Sequence, residues 1–94
     1  MEDYTKTKTA LCLNFHTDPG HGWLETKRQD LEALQIQDQI SGYSYQVRGK
    51  VYLEEDCDAG IYLAALKAAG IQYSIDRSFT DNMSFIRHLT PFKA

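Results

Sequence analysis

No apolar run in the 94-residue chain approaches the roughly 20 residues of a membrane span, and Met1-Glu-Asp-Tyr-Thr-Lys6 lacks an apolar signal region. The chain is therefore expected to be soluble and cytoplasmic, with no membrane partner. An excess of basic charge is also missing. Ten Lys and Arg against thirteen Asp and Glu leave a formal charge of −3, which argues against a dedicated DNA or RNA binder, since that work neutralises several phosphates. The balance is equally too mild for an acidic mimic of DNA. Cys12 and Cys57 follow no framework spacing, so a reduced, buried pair is expected.

Motifs that name a reaction are absent too. The chain has no nucleophile elbow, phosphate loop, dinucleotide fingerprint or zinc spacing. What it has is an apolar fraction of 43%, with six tyrosines, four phenylalanines and one tryptophan. That is enough for one aromatic-rich core in a single domain, although a chain this short buries only about two-thirds of its unfolded surface. Residues 1–8 are expected to form a flexible segment.

Hydrophobic periodicity gives an α+β reading. Leu11, Leu13 and Phe15 alternate with Cys12, Asn14 and His16, which is a strand with one buried face over 9–16. In Thr17-Asp-Pro-Gly-His21 the proline and glycine suit a type II turn, with glycine at the positive-φ position. Trp23–Thr26 returns as a strand, and Thr26 with Gln29 fits a capping box opening a helix over about 27–35, burying Leu31 and Leu34. A second hairpin reads Tyr43–Val47, a turn at Arg48-Gly49-Lys50, and Val51–Glu54. The acidic run Glu54-Glu-Asp-Cys-Asp58 then caps a helix that ends at Gly70 and is apolar nearly all round, so deep burial against the sheet is expected. Further strands are expected at 71–76 and, although the segment also suits a short helix, at 83–89.

The pattern is hairpin, helix, hairpin, helix, then two strands. Trp23-Leu24-Glu25 and Tyr52-Leu53-Glu54 mark equivalent points of the two halves, and the layout places both hairpin tips at sheet edges, away from the helices. The expected architecture is one mainly antiparallel sheet of five to six strands packed against two helices.

Chemistry concentrates in Phe15-His-Thr-Asp-Pro-Gly-His-Gly-Trp-Leu24. His16, Asp18 and His21 could ligate a metal, with Glu25 or Glu54 as base of a small hydrolase. The bland alternative is that Asp18 caps the turn and the histidines are partly exposed. The backbone N–H groups of Gly20, His21 and Gly22 could instead form a nest for a phosphate or carboxylate. Tyr43, Tyr45, Tyr52, Tyr62 and Tyr73 with Trp23 offer either core packing or a stacking surface for a flat ligand. Catalysis by Cys57 would need a nearby histidine, and the surrounding carboxylates oppose a thiolate.

The motifs HTDPGHGWLE (16–25), YSYQ (43–46) and VYLEEDCDA (51–59) resemble a family of short phage, prophage and plasmid proteins. The resemblance implies a counter-defence protein of a mobile element, acting on a host defence protein or sequestering its nucleotide signal. The favoured reading is a non-catalytic, possible homo-oligomeric binding protein without a cofactor. Its ligand is a host protein or a small nucleotide-like molecule, held by His16, Asp18, Gly20, His21, Gly22, Trp23, Tyr43 and Tyr45. The metal-dependent hydrolase and an adaptor or structural subunit are the alternatives.

Overall fold

The computed structural model describes residues 11–94, and the segment 1–8 lies outside them. Alternation builds the first hairpin. Leu13 and Phe15 are buried on one face of β1 (Leu11–Thr17), with Asn14 and His16 on the other. The chain returns as β2 (Gly22–Lys27), and β3 (Tyr45–Val47) with β4 (Lys50–Glu54) makes the second hairpin. With β5 (Tyr73–Phe79) and β6 (Thr90–Pro91) they form one sheet in the order β5-β1-β2-β4-β3-β6. The β1–β5 pair is parallel and the others are antiparallel.

Helices α1 (Arg28–Ala33) and α2 (Ala59–Ala68) each follow a hairpin. Leu31 from α1 and Tyr62 and Leu66 from α2 join Leu13, Phe15, Leu24, Val51 and Leu53 in the main core. The fold is thus α+β, a mainly antiparallel sheet packed against two helices. The opposite face carries a smaller cluster of Trp23, Tyr52 and Ile86, flanked by Tyr45, Val47 and Leu89.

The two similar triplets meet at the centre of the sheet. Leu24 lies opposite Leu53, Trp23 opposite Glu54 and Glu25 opposite Tyr52. Both leucines are fully buried, and truncating either to alanine would cost about 2–5 kcal/mol. Because β2 and β4 are central strands, the hairpin tips lie at strand ends, not at sheet edges. The second tip turns through Arg48 (φ 49°) and Gly49 (φ 81°), the paired positive φ values that match the twist of a two-residue hairpin.

Several local expectations are corrected. Gly20 does not take a positive φ, so the first turn is not type II. Space explains this glycine instead, since a Cβ would lie 2.9 Å from Arg87 Nη2. Thr26 forms no capping box. It belongs to β2 and its Oγ1 is buried without a hydrogen-bond partner, while the Arg28 N–H donates to the Gly49 carbonyl at 2.8 Å. Helix α2 buries Ala59, Tyr62 and Leu66, but Gly60, Ala64, Lys67 and Ala68 are exposed, so one face only is covered.

Residues 83–89 do not form a strand. Phe85–His88 is a 3₁₀ turn whose N-cap Ser84 accepts the Ile86 N–H at 3.2 Å. Cys12 and Cys57 are both exposed and are not a buried pair. Cys12 falls on the polar side of β1, its thiol 3.5 Å from Asp76 Oδ2, and Cys57 lies in the turn before α2.

Helix α1 ends with the Ile36 N–H donating to the Leu31 carbonyl at 3.0 Å and Gln35 at φ 59°. That closure normally uses glycine in the left-handed position. Gln35 is exposed, so Gln35→Gly is expected to raise stability by about 0.5–1 kcal/mol in urea unfolding, by relieving the left-handed strain.

Candidate functional site

The site is organised by Asp18. Within the turn its N–H donates to the His21 carbonyl at 2.9 Å, and its Oδ1 accepts the N–H groups of Gly20 and His21, each at 3.0 Å. The same carboxylate reaches the other end of the chain. It accepts the Ser84 N–H at 2.9 Å, Arg87 Nε at 2.6 Å and Arg87 Nη2 at 2.8 Å. This is a two-pronged guanidinium–carboxylate pair around a fully buried carboxylate. Arg87 holds the Asp18 carboxyl well below the usual range against the cost of desolvation, helped by the N–H groups of Ser84, Gly20 and His21.

Two expectations are answered by this arrangement. Asp18 does cap its turn. The N–H groups of Gly20 and His21, however, already hold an anion, and that anion is the chain's own Asp18. Gly22 serves a different purpose, because a Cβ there would stand 2.7 Å from Phe15 Cζ and 2.8 Å from Glu55 Oε1. It permits close packing where its carbonyl accepts the Glu55 N–H at 3.0 Å.

Pinned by Asp18, the Arg87 guanidinium lies 5.7 Å from the Trp23 ring centre. His21 is 5.8 Å and Tyr45 6.4 Å from the same ring. Trp23 is only 2% exposed, and its Nε1 is buried without a hydrogen-bond partner. Beside it opens a cavity of about 660 Å³, which brings together His21, Trp23, Tyr43 and Tyr45 from the expected set. Tyr43 stands 71% exposed at the rim.

Glu54, Asp56, Cys57, Met83 and Arg87 complete the lining; of these, Glu54 was expected only as the base of a hydrolase and Cys57 only as a thiol set among carboxylates, whereas Met83 and Arg87 belonged to no expected site. Glu54 sits on the same strand position as Trp23 across the β2–β4 pair. Its Oε1 accepts the N–H groups of Asp56 and Cys57 at 3.0 and 2.9 Å, which fixes the acidic turn at the cavity wall. Desolvation first, then Glu54, Asp58 and Asp56, push the Cys57 thiol up, away from nucleophilic thiolate chemistry. Asp58 turns inward, where it accepts Ser41 Oγ at 2.7 Å and Ser44 Oγ at 2.5 Å.

His16 does not reach this cavity. Its Nε2 lies 2.8 Å from Glu25 Oε1, and its ring meets Tyr52 and Phe85 edge-on at 5.6 and 6.3 Å. It lines a smaller crevice of about 140 Å³ with Ser78, Phe79 and Phe85. His16, Asp18 and His21 therefore do not converge, and among the described residues no three His, Cys, Asp or Glu side chains group to hold a metal ion. The tyrosines divide as well. Tyr62 is core, with its hydroxyl near that of Thr26; Tyr52 packs under Ile86; Tyr73 stands on the edge strand β5.

Comparison with models of protein families, with curated proteins and with solved structures gives no match to this chain. Among the described residues no helix is long and apolar enough to cross a membrane.

The depressed Asp18 carboxyl has a directional consequence. Below its ordinary value near 3.8 the unfolded chain binds a proton that the folded chain resists, so stability is full above that value and drains as pH falls. At pH 7 the Asp18→Asn variant is expected to melt lower by on the order of 10 °C. Thermal melts between pH 7 and 3 should also show a flatter acid limb for Asp18→Asn than for the parent chain.

Proposed function

We propose that the chain is a non-catalytic binding protein whose cavity takes a basic segment of a partner protein. The observation that carries this is the pairing of two walls around one opening. Tyr43, Tyr45 and Trp23 form an aromatic wall, and Glu54 and Asp56 an acidic one. Aromatic faces beside carboxylates attract a guanidinium or ammonium group.

A phosphorylated ligand is less favoured by the same geometry. The turn N–H groups are occupied by Asp18, and the charge of Arg87 is offset by that carboxylate. Catalysis is disfavoured because His16 is paired with Glu25 outside the cavity and the Cys57 thiol is pushed up. In the setting that the mobile-element resemblance implies, the partner is a host protein, and a defence protein is the natural candidate.

Trp23 is the chain's only tryptophan, so its emission reports directly on the cavity. Titration with acetyl-arginine amide is expected to shift that emission saturably. Tyr43→Ala and Asp56→Asn, both at exposed positions, should each weaken the response about fivefold. Mono-, di- and cyclic nucleotides serve as the opposing probes: a response to them alone, or arginine binding indifferent to both substitutions, defeats the reading.

A further inference from the structure

The two edges of the sheet are unlike. On one side β6 is two residues long and ends in Pro91, a short, blunted edge of the kind that resists strand addition. On the other, β5 is seven residues long, and among the described residues no strand pairs with its outer side. Three apolar side chains are exposed along this edge: Ile71 at 40%, Tyr73 at 37% and Phe79 at 64%.

The backbone is in phase for pairing. Leu11 N–H donates to the Gln72 carbonyl and Thr80 N–H to the Thr17 carbonyl. In a parallel ladder this assigns the even-numbered residues of β5 to β1. Tyr73, Ile75, Arg77 and Phe79 therefore present their N–H and C=O groups to the open edge. Their side chains share the face of Leu11, Leu13, Phe15 and Thr17, against which they are registered.

We infer that this edge pairs with the β5 edge of a second copy, antiparallel, about a dyad through Ile75. In that register Ile75 meets its own counterpart, Tyr73 meets Arg77, and Ser74 meets Asp76. Phe79 meets Ile71, beside a notch of about 460 Å³ lined by Lys67, Gly70, Ile71, Gln72 and Tyr73. Each copy thus offers the exposed ring at one end of β5 and the recess for it at the other. The contact is self-complementary, as a closed two-fold interface requires.

The strand's own charges select this register. A dyad at Asp76 sets the two aspartates face to face, and one at Arg77 does the same with the arginines; like charges directly opposite are destabilising. A dyad at Ser74 carries Phe79 past Ile71 and leaves the notch empty. The dyad at Ile75 avoids both faults.

Sedimentation velocity of the full chain over a micromolar to submillimolar series tests the pairing. The parent chain is expected to dimerise reversibly. Phe79→Ala empties the notch and Ser74→Asp opposes Asp76, so each should weaken the dimer about tenfold or more, with an unchanged far-ultraviolet circular dichroism spectrum. Ser74→Lys, facing Asp76, should keep or tighten it. A parent chain that stays monomeric throughout, or a dimer that Phe79→Ala and Ser74→Asp both leave intact, overturns the inference.

Discussion

One buried carboxylate joins the two ends of the described chain. Asp18 closes the β1–β2 turn through two backbone N–H groups and, with the same two oxygens, fixes Ser84 and Arg87 from a segment more than 60 residues later. Without that pair the segment from Ser84 to Leu89 would depend for its docking on the apolar contacts of Ile86 and Leu89 and on the edge-on packing of Phe85 against His16 and Tyr52. With it, the segment covers Tyr52 and delivers Arg87 to Trp23. A buried ion pair contributes little net stability relative to apolar packing, but losing one partner is costly because the other is left uncompensated. Its value here is positional, since it decides where the second face of the sheet is covered and where it is left open.

Much of the architecture was legible because period-two alternation is a local signal. Leu13 and Phe15 against Asn14 and His16 named the buried face of β1, and Trp23-Leu-Glu with Tyr52-Leu-Glu marked the halves that meet across the centre. The cavity was legible only from one side. Its aromatic wall was visible as residue types, whereas Arg87 carried no signal, because its partner lies 69 positions away and nothing local requires an arginine in a 3₁₀ turn. The metal reading of His16, Asp18 and His21 failed for the same physical reason. Sequence proximity in a hairpin does not place side chains on one point: His16 meets Glu25 across the strand pair, Asp18 turns inward and His21 outward.

The corrections share a cause of their own. Thr26 and Gln29 form a good capping pattern locally, but β2 continues through Lys27 because β4 pairs with it as far as Lys50, and tertiary pairing overrides the cap. Met83–Leu89 has strand-like composition, yet Ser84, held by Asp18, starts a tight turn instead. Gly20 and Gly22 were read as conformational glycines or as anion donors. Both are small for space, one under Arg87 and one against Phe15.

The uses proposed for the cavity and for the β5 edge are compatible because the sheet keeps the two apart. Strand β1 stands between β5 and the strands that supply Trp23, Glu54 and Tyr45, so pairing at the edge leaves the cavity free. A dyad perpendicular to the sheet also preserves its faces, so the two copies would open their cavities on the same side of one continuous sheet. Two modest sites held at fixed separation bind a two-fold partner far more tightly than either alone, because the second contact is made at high effective concentration. A chain this small has little surface for a large single interface. Doubling a shallow aromatic and acidic cavity by symmetry is the physical route by which it could grip a symmetric partner without a larger fold.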